Sequence, residues 1–377
     1  MAALFTVSIV FLAYTYVLYP VILVVWAALV PKRVLKTYAP VPLSVVLAVR
    51  DEEKYIGARL ADFFKQDYPG ELVEIIVVSD GSKDRTVTIA RSMGDPRVRV
   101  VELESPAGKS EAVNIGVSHA THEIIVFADV RQRFSPNAFS ELAASLADDR
   151  VGGVSGELII EGGGKSEVGE GVGLYWSYEK LIRRKESEID SVVGASGSIY
   201  AIRKRLFVPL PANTLLDDFL VPMRIVLQGY RVVFERGARA YDRATERTSH
   251  EFSRKVRTLA GNFQAIELER RLLNPFENRV FFQMVSHKLT RLIAPYFLVT
   301  ALATNLFLEG AFFRLTLVLQ VAFYFALFLR FTPLVATRLG RPIRVAWTFA
   351  VLNAAAVGGL CVFLTRKEKG AWKKGQR

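Results

Sequence analysis

Residues 2–30 contain no charged side chain, and this stretch limits what the chain can fold into more than any other. A helix needs about 20 consecutive apolar residues to cross the hydrocarbon core of a bilayer. The stretch is too long for the apolar part of a signal peptide, and neither a basic start nor a small-residue cleavage site accompanies it. We therefore predict that residues 1–30 form a retained transmembrane anchor.

Three more apolar segments lie near the other end of the chain, at 292–308, 315–329 and 345–364. We predict three transmembrane helices within residues 292–365, followed by a basic tail at 366–377. Residues 277–291 mix apolar and basic side chains. That mixture is typical of a helix lying in the membrane interface, although an ordinary surface helix has the same pattern.

Basic residues beside the apolar segments indicate the orientation in the membrane. Lys32, Arg33 and Lys36 follow the first segment, and an excess of lysine and arginine marks cytoplasmic loops. We therefore predict an integral membrane protein whose N-terminus lies outside and whose middle region is cytoplasmic. With four spans, the lysine-rich tail would lie outside, which conflicts with the same rule.

The net charge limits the kinds of partner. Lysine and arginine number 49 against 37 aspartates and glutamates, so the formal net charge is 49 − 37 = +12. Such an excess suits membrane lipid headgroups or phosphate groups. We expect no nucleic-acid partner, because no zinc-ligand spacing, helix-turn-helix pattern or RNA-binding signature accompanies the charge. The one cysteine, Cys361, excludes a disulfide framework and a thiolate metal cluster.

Residues 40–265 alternate β-rich runs with helical ones. The pattern predicts strands at 43–49, 73–79, 98–103 and 124–128, and helices at 55–66, 86–93 and 109–119. Such alternation is typical of right-handed βαβ units. The sequence therefore predicts an α/β domain with a mostly parallel sheet.

Two of the predicted strands lead into aspartates, Asp80 and Asp129. In open α/β sheets, ligands bind beyond the carboxyl ends of the strands. Carboxylates at that edge suit a cation, a ribose hydroxyl or both. Asp80 has an alternative interpretation, because Asp-Gly is also a turn and helix-cap sequence. Asp129 is harder to explain structurally, since no helix cap is needed before Ser135.

Seven short motifs follow one another in a recognisable order. They are S-V-V-L-A-V-R-D-E-E from Ser44, V-S-D-G-S-K-D-R-T from Val78, G-K-S-E-A-V-N-I-G from Gly108, F-A-D from Phe127, G-A-S-G-S-I-Y-A from Gly194, D-D from Asp217 and R-K-V-R from Arg254. Over residues 42–264 this order resembles the family 2 glycosyltransferases, which have the Rossmann-like GT-A fold. The flanking apolar segments are similar to those of membrane polysaccharide synthases of the chitooligosaccharide, hyaluronan and cellulose synthase type.

The resemblance implies a UDP-sugar donor and a divalent cation, Mg²⁺ or Mn²⁺. It also implies roles for single residues: Arg50 and Glu52 beside the nucleobase, Asp80 on the base or ribose, Lys109 near the nucleotide, Asp129 on the cation, and Asp218 as general base. Proton removal by Asp218 during direct in-line displacement would invert the anomeric configuration. Alternatively, Asp217 and Asp218 only cap the helix that follows them.

Two motifs depart from the family pattern. The usual Asp-x-Asp metal motif reads Asp129-Val130-Arg131, and Arg131 cannot ligate a cation but can contact phosphate. The usual Gln-x-x-Arg-Trp motif has Arg254 and Thr258 in place of glutamine and tryptophan. Arg254 and Arg257 would share a helix face and could grip a diphosphate. The missing tryptophan puts extended polymerisation in doubt.

Several alternatives about the reaction stay open. The acceptor would be a growing polysaccharide or a lipid-linked glycan, and a polymer path between so few helices would suggest a homo-oligomer. A single transfer to a polyprenyl phosphate or lipid is the alternative enzyme, and a non-catalytic nucleotide-sugar-binding scaffold is the alternative of another class. Tyr175, Trp176 and Tyr178 lie among basic residues. This helix either stacks on an acceptor sugar or packs on the sheet or membrane surface.

Overall fold

A computed structural model describes residues 1–161, 169–243, 248–329, 332 and 340–365, so the predicted basic tail at 366–377 lies outside the described residues. One sheet of eight strands forms the centre of the fold, in the order β3-β2-β1-β4-β7-β6-β8-β5. The strands are β1 (Leu43–Val49), β2 (Val73–Asp80), β3 (Val98–Leu103), β4 (Ile124–Ala128), β5 (Arg133–Phe134), β6 (Val151–Glu161), β7 (Ile199–Arg203) and β8 (Arg231–Arg243).

The first four long strands are parallel, with β1 between β2 and β4. Every residue of β1 and β4 is buried, because helices cover both faces of the sheet. That burial explains why both strands read as unbroken apolar runs rather than as alternating ones. Beyond β4 the sheet becomes mixed, since β7 pairs antiparallel with β4. The prediction of a mostly parallel α/β domain is confirmed.

Helices lie on both faces of the sheet and at both ends of the chain. They are α1 (Ala2–Ala13), α2 (Tyr19–Leu29), α3 (Ile56–Phe64), α4 (Thr86–Ser92), α5 (Lys109–His119), α6 (Ala138–Leu146), α7 (Gly169–Ile189), α8 (Asp217–Leu227), α9 (Thr248–Leu268), α10 (Phe281–Met284), α11 (Thr290–Asn305), α12 (Ala311–Phe328) and α13 (Arg341–Thr365). One apolar core lies between the sheet and helices α3, α4 and α6. The other lies between the opposite face and helices α5 and α8.

Three of the described helices are long and apolar enough to cross a membrane. The first is Ala2–Leu29, in which a π-helical turn, Tyr14–Leu18, joins α1 to α2. The others are Ala311–Phe328 and Pro342–Thr365, which coincide with two of the predicted C-terminal spans. The predicted span 292–308 lies largely in α11 and is not among the three, so its crossing of the membrane stays a prediction.

The segment predicted to lie in the membrane interface, 277–291, has one face buried against the rest of the protein. It contains α10 and a π-helical turn, Val285–Leu289, which continues into α11. Ser286 and His287 are buried, and the Ser286 hydroxyl lies 2.5 Å from that of Tyr14 in the N-terminal helix. This contact joins the N-terminal helix to the segment that leads into α11. Binding of this segment to lipid stays a prediction.

Helix α9 packs closely against the last membrane-length helix, α13. A Cβ atom at Gly359 would lie 2.9 Å from the backbone nitrogen of Ala260, and one at Gly358 would lie 3.2 Å from Val256. Small residues let two helices approach in this way. The helix that carries Arg254 and Arg257 is therefore attached directly to a candidate membrane span.

Candidate active site

The loops that follow β1 and β2 are bound to each other at the carboxyl edge of the sheet. The backbone nitrogen of Asp51 donates to the Ser82 hydroxyl (3.0 Å), and its carboxylate accepts from the backbone nitrogen of Lys83 (2.7 Å). Asp51 adopts a φ of 52°, a left-handed conformation that aspartate tolerates better than most residues. These contacts fix the loop that carries Arg50 and Glu52.

Glu52 and Arg131, predicted independently as donor contacts, form an ion pair across the site. Arg131 Nη2 lies 2.9 Å from Glu52 Oε1, and the guanidinium lies 5.3 Å from the centre of the Tyr55 ring. Burial would lower the pKa of Arg131, but the bond to Glu52 raises it above its usual value. Arg50 lies half-buried at the end of β1. Arg131, which replaces the second aspartate of the metal motif, is thus held by a carboxylate.

Asp80 is completely buried at the end of β2 and binds backbone rather than facing solvent. Its Oδ1 accepts from the backbone nitrogens of Ala107 (2.6 Å) and Gly108 (3.1 Å). These bonds hold the segment that leads into α5 and so position Lys109, its first residue. Asp80 thus has a structural role that differs from the turn or helix cap weighed in the sequence, and its contact with a nucleotide stays a prediction.

Lys109 lies between two aspartates that are remote from it in the sequence. Its Nζ is 3.4 Å from Asp129 Oδ1 and 3.2 Å from Asp217 Oδ1. Burial would lower the pKa of Lys109, but Asp129, Asp217 and then Asp218 raise it above its usual value. The ammonium therefore stays charged and neutralises part of the carboxylate cluster. Asp217, treated only as a helix cap in the sequence, is a member of the site.

Asp218 is the second residue of α8, near Lys109, and a glycine-containing loop holds it in place. The backbone nitrogen of Gly197 donates to Asp218 Oδ2 (3.0 Å), and that of Ala195 donates to the Asp218 carbonyl (2.7 Å). Burial, followed by the charge of Asp217, raises the pKa of Asp218 to about 6. A carboxylate with such a pKa is ionised at neutral pH and is a better proton acceptor than an exposed aspartate.

Tyr200 lies beneath this cluster and was not singled out in the sequence. It stands opposite Phe127 in the pairing of β7 with β4, and their rings stack at 4.5 Å. Its hydroxyl is buried and finds no hydrogen-bond partner in the described part of the chain. Burial and then the nearby charges of Asp217 and Asp218 raise the pKa of Tyr200 well above its usual value. Only the order of the strands could have revealed this neighbour.

The described residues offer limited ligands for a divalent cation. Among them, no group of three or more histidine, cysteine, aspartate or glutamate side chains is arranged to hold a metal ion. The Asp129 side chain is 42% exposed, so one carboxylate at the site is open to solvent. Mg²⁺ in particular often binds through one or two carboxylates together with substrate phosphates. Asp129 therefore fits the part of a single protein ligand.

Helix α9 passes beside the segment that leads into Asp217. A Cβ atom at Gly261 would lie 2.5 Å from Leu216, so the two backbones are close. Arg257 precedes Gly261 by one helical turn and shares its face. The structure therefore brings the helix with Arg254 and Arg257 to the site, and their grip on a diphosphate stays a prediction.

Comparison with known proteins identifies the domain. Residues 44–208 match the family model described as glycosyl transferase family 2. An N-acetylglucosaminyltransferase of Rhizobium meliloti (strain 1021) is 26% identical over 179 residues, which are 46% of this chain and 41% of that protein. A 4,4'-diaponeurosporenoate glycosyltransferase of Staphylococcus aureus (strain USA300) is 39% identical over 94 residues, which are 24% of each protein. The chain thus matches less than half the length of these relatives.

Among solved structures, the mannosyltransferase PcManGT from Pyrobaculum calidifontis, in complex with GDP-Man and Mn²⁺, has a similar fold. The TM-score is 0.75 at 20% identity, and the match covers 97% of this chain and 100% of that one. The predicted resemblance and enzyme class are confirmed: residues 44–208 form a family 2 glycosyltransferase domain with a GT-A-type fold.

Proposed function

We propose that this chain is an inverting glycosyltransferase of the cytoplasmic membrane face. It would move a sugar from a UDP-sugar to a growing polysaccharide or a lipid-linked glycan. The observation that carries the proposal is the convergence of Asp129, Asp217 and Asp218 on Lys109, with the pKa of Asp218 raised to about 6. The proton acceptor, Asp218, and an ammonium group that can bind diphosphate, that of Lys109, therefore belong to one cluster.

Each member of the cluster has a role in this reaction. Asp218 would take the proton of the acceptor hydroxyl as that oxygen attacks the anomeric carbon, while the bond to the diphosphate breaks on the opposite face. Such proton transfer typically contributes 10²–10⁴-fold to the rate. The Lys109 ammonium would attract the departing diphosphate. Direct displacement of this kind predicts inversion at the anomeric carbon.

Asp129 would hold a divalent cation, Mg²⁺ or Mn²⁺, at the open side of the cluster. When bound, such an ion stabilises the negative charge that develops on the leaving diphosphate. The exposed carboxylate of Asp129 supports this assignment. Arg131 would contact phosphate or an anionic sugar from the other side, once the donor competes with Glu52 for its guanidinium.

The membrane assignment rests on the three helices long and apolar enough to span a bilayer. Lys32, which follows the first of them, pairs with Asp190 of the domain at 2.7 Å. Because basic residues mark cytoplasmic loops, this contact supports a cytoplasmic catalytic domain. A polymer would need a lined path through the bilayer, so the polymer version of the proposal also requires a homo-oligomer.

Radiolabelled donor would test the proposal. Purified protein would be incubated with radiolabelled UDP-sugars in the presence of Mn²⁺, and transfer compared in the parent, Asp218→Asn and Asp129→Ala. Asp149→Asn, which changes an exposed aspartate on the surface, is the matched control. We expect loss of transfer in the first two variants and parental rates in the control. Equal background release of nucleotide in all four proteins would leave only a donor-binding scaffold.

A second candidate function is transfer of one sugar to a polyprenyl phosphate or lipid. It is favoured by Thr258, which replaces the tryptophan of processive synthases. Product size separates the two reactions. A single-sugar product that extracts into organic solvent would exclude the polymer version, whereas a ladder of water-soluble products would exclude single transfer.

A further inference from the structure

Buried charged side chains that the proposed reaction does not use lie between α7 and the helix that runs from α10 into α11. We call Arg183, Lys288 and Arg291 the basic cluster, and its carboxylate partner is Glu179. The basic side chains are only 15–20% exposed, and Glu179 is 7% exposed. Ionisable groups are seldom buried beside a membrane helix without a function.

A buried histidine closes one end of the basic cluster. His287 Nε2 lies 2.8 Å from Glu179 Oε1, and its Nδ1 lies 2.8 Å from Glu186 Oε1. Glu186 also accepts a hydrogen bond from the Tyr19 hydroxyl (2.7 Å) in the N-terminal helix. Glu186 is held by Tyr19, His287 and the backbone nitrogen of Val193, whereas Glu179 makes the direct ion pairs with the basic cluster.

Three basic side chains share Glu179. Arg291 Nη1 lies 2.7 Å from Glu179 Oε2, whereas Arg183 Nε and Lys288 Nζ lie 3.9 and 4.0 Å from Oε1. Burial lowers the pKa of Lys288, and although Glu179 opposes this effect, Arg183 and Arg291 add to it. Glu186 also acts on Lys288, but three basic side chains still face only two carboxylates, so positive charge is in excess.

Several N–H groups of the basic cluster have no acceptor. Arg183 Nε, Arg291 Nε and Arg291 Nη2 are buried and form no hydrogen bond with any described residue. Buried donors are nearly always satisfied by protein, water or a ligand, so each such group requires an explanation. Planar guanidinium groups with spare donors match the oxygens of a phosphate group.

The position of the basic cluster indicates which phosphate it meets. Tyr178 lies 5.3 Å below the Arg291 guanidinium and donates to the carbonyl of Tyr16, inside the first candidate span. On the other side, one turn after Arg183, Glu186 Oε2 accepts from the backbone nitrogen of Val193 (3.4 Å), and the same segment continues to Gly197, whose backbone nitrogen binds Asp218 (3.0 Å). The basic cluster thus lies between a membrane helix and the proposed general base.

We propose that the basic cluster binds the phosphate group of a lipid-linked acceptor, whose sugar hydroxyl then reaches Asp218. The inference rests on the proposed function and selects the lipid-linked glycan among its acceptors. The lipid chain would run along the N-terminal helix, while the phosphate replaces the missing acceptors of Arg183 and Arg291. No bond to the phosphate is made or broken in this step.

Binding of farnesyl phosphate to the full-length protein in detergent micelles tests the proposal. Its affinity would be measured by calorimetry in the parent, Arg183→Gln and Arg291→Lys. The lysine variant keeps the charge beside Glu179 but removes the unpartnered donors, which protects the fold. Lys185→Gln is the matched control, since it removes one charge from the same helix at a pair with Glu188. UDP binding is measured in each preparation.

We expect each variant of the basic cluster to weaken farnesyl phosphate binding by about tenfold or more, because hydrogen bonds to charged groups are among the stronger ones. Lys185→Gln should bind as the parent does, and UDP affinity should not change. Equal affinity for farnesol would show that the phosphate is not recognised. If inorganic phosphate displaces farnesyl phosphate equally well, the cluster is a free-phosphate site. If phosphatidylglycerol displaces it equally well, the cluster is a structural lipid site. Either result overturns the proposal. If the parent protein does not bind UDP but does bind farnesyl phosphate, the result contradicts the proposed function and not the phosphate site.

Discussion

Replacing Asp218 with asparagine should stabilise the protein while it removes the proposed general base. Burial and Asp217 raise the pKa of this carboxyl from 3.8 to about 6 in the folded protein. The difference, 6 − 3.8, is about 2 units, and each unit corresponds to about 1.4 kcal/mol. Keeping Asp218 ionised at neutral pH therefore costs up to about 3 kcal/mol of folding free energy, a cost that a neutral amide does not have.

The gain in stability should depend on pH with a defined sign. Between pH 3.8 and about 6 the folded protein keeps a proton on Asp218 that the unfolded chain has released. Stability of the parent relative to Asp218→Asn is therefore unaffected below this window and falls as pH rises through it. The stability difference should be small near about pH 4 and complete above about pH 7.

Thermal unfolding in detergent, followed by tryptophan fluorescence, would measure this difference. We expect Asp218→Asn to raise Tm by about 5 °C at neutral pH and to lower the transfer rate by roughly 10²–10⁴-fold. Asp149→Asn, at an exposed position, should change neither quantity. A Tm shift of the same size near about pH 4 and at neutral pH, or a loss of stability at neutral pH, would refute the reasoning.

Three further substitutions test the geometry of the site and its support. Gly197→Ala would place a Cβ atom 2.8 Å from Asp218 Oδ2. The value of kcat should fall at least about tenfold with little change in donor Kd. An unchanged kcat would show that the bond from the Gly197 backbone to Asp218 does not position this carboxylate. Lys109→Met should weaken UDP binding and shift the acid limb of the pH–rate profile upward, because Lys109 lowers the pKa of Asp218; a downward shift would oppose this assignment. His287→Gln should lower the stability by roughly 3–5 kcal/mol, because the buried carboxylates of Glu179 and Glu186 lose their shared partner. Thermal unfolding measures this loss. A parental Tm would show that His287 is not needed between the two carboxylates.

The sheet could be predicted from the sequence because its strands carry their own signal. The bounds predicted for β1, β3 and β4 agree with the structure, since each is a short run of β-formers between turn or helix residues. Helix α5 likewise begins and ends where predicted. Asp129 could be placed at the site's edge because the end of a buried parallel strand fixes where the next side chain lies.

Contacts between distant parts of the chain could not be predicted in the same way. Nothing near Lys109 in the sequence indicates that Asp217 lies 3.2 Å from it. Asp80 ends its strand much as Asp129 follows β4, yet it binds two backbone nitrogens because the loop before α5 folds over it. Nothing near His287 in the sequence indicates its two carboxylate partners, because both of them are on α7.

Tyr200 shows why strand order matters for the site. Its neighbour Phe127 belongs to β4, and the two meet only because β7 enters the sheet antiparallel beside that strand. The alternation of strands and helices up to β4 gives no hint of this reversal. A residue of the site was therefore hidden until the pairing of the strands was known.

The close packing of α9 on α13 joins the helix that carries Arg254 and Arg257 to a candidate membrane span. Because Gly358 and Gly359 have no side chains, Val256, Leu259 and the backbone of Ala260 on α9 pack directly against α13, and a tilt of α13 would move α9 with it. Membrane helices tilt to match the thickness of the lipid around them. If α13 crosses the bilayer and Arg254 and Arg257 bind the donor, as proposed, then lipid chain length would shift their position and change the rate of transfer.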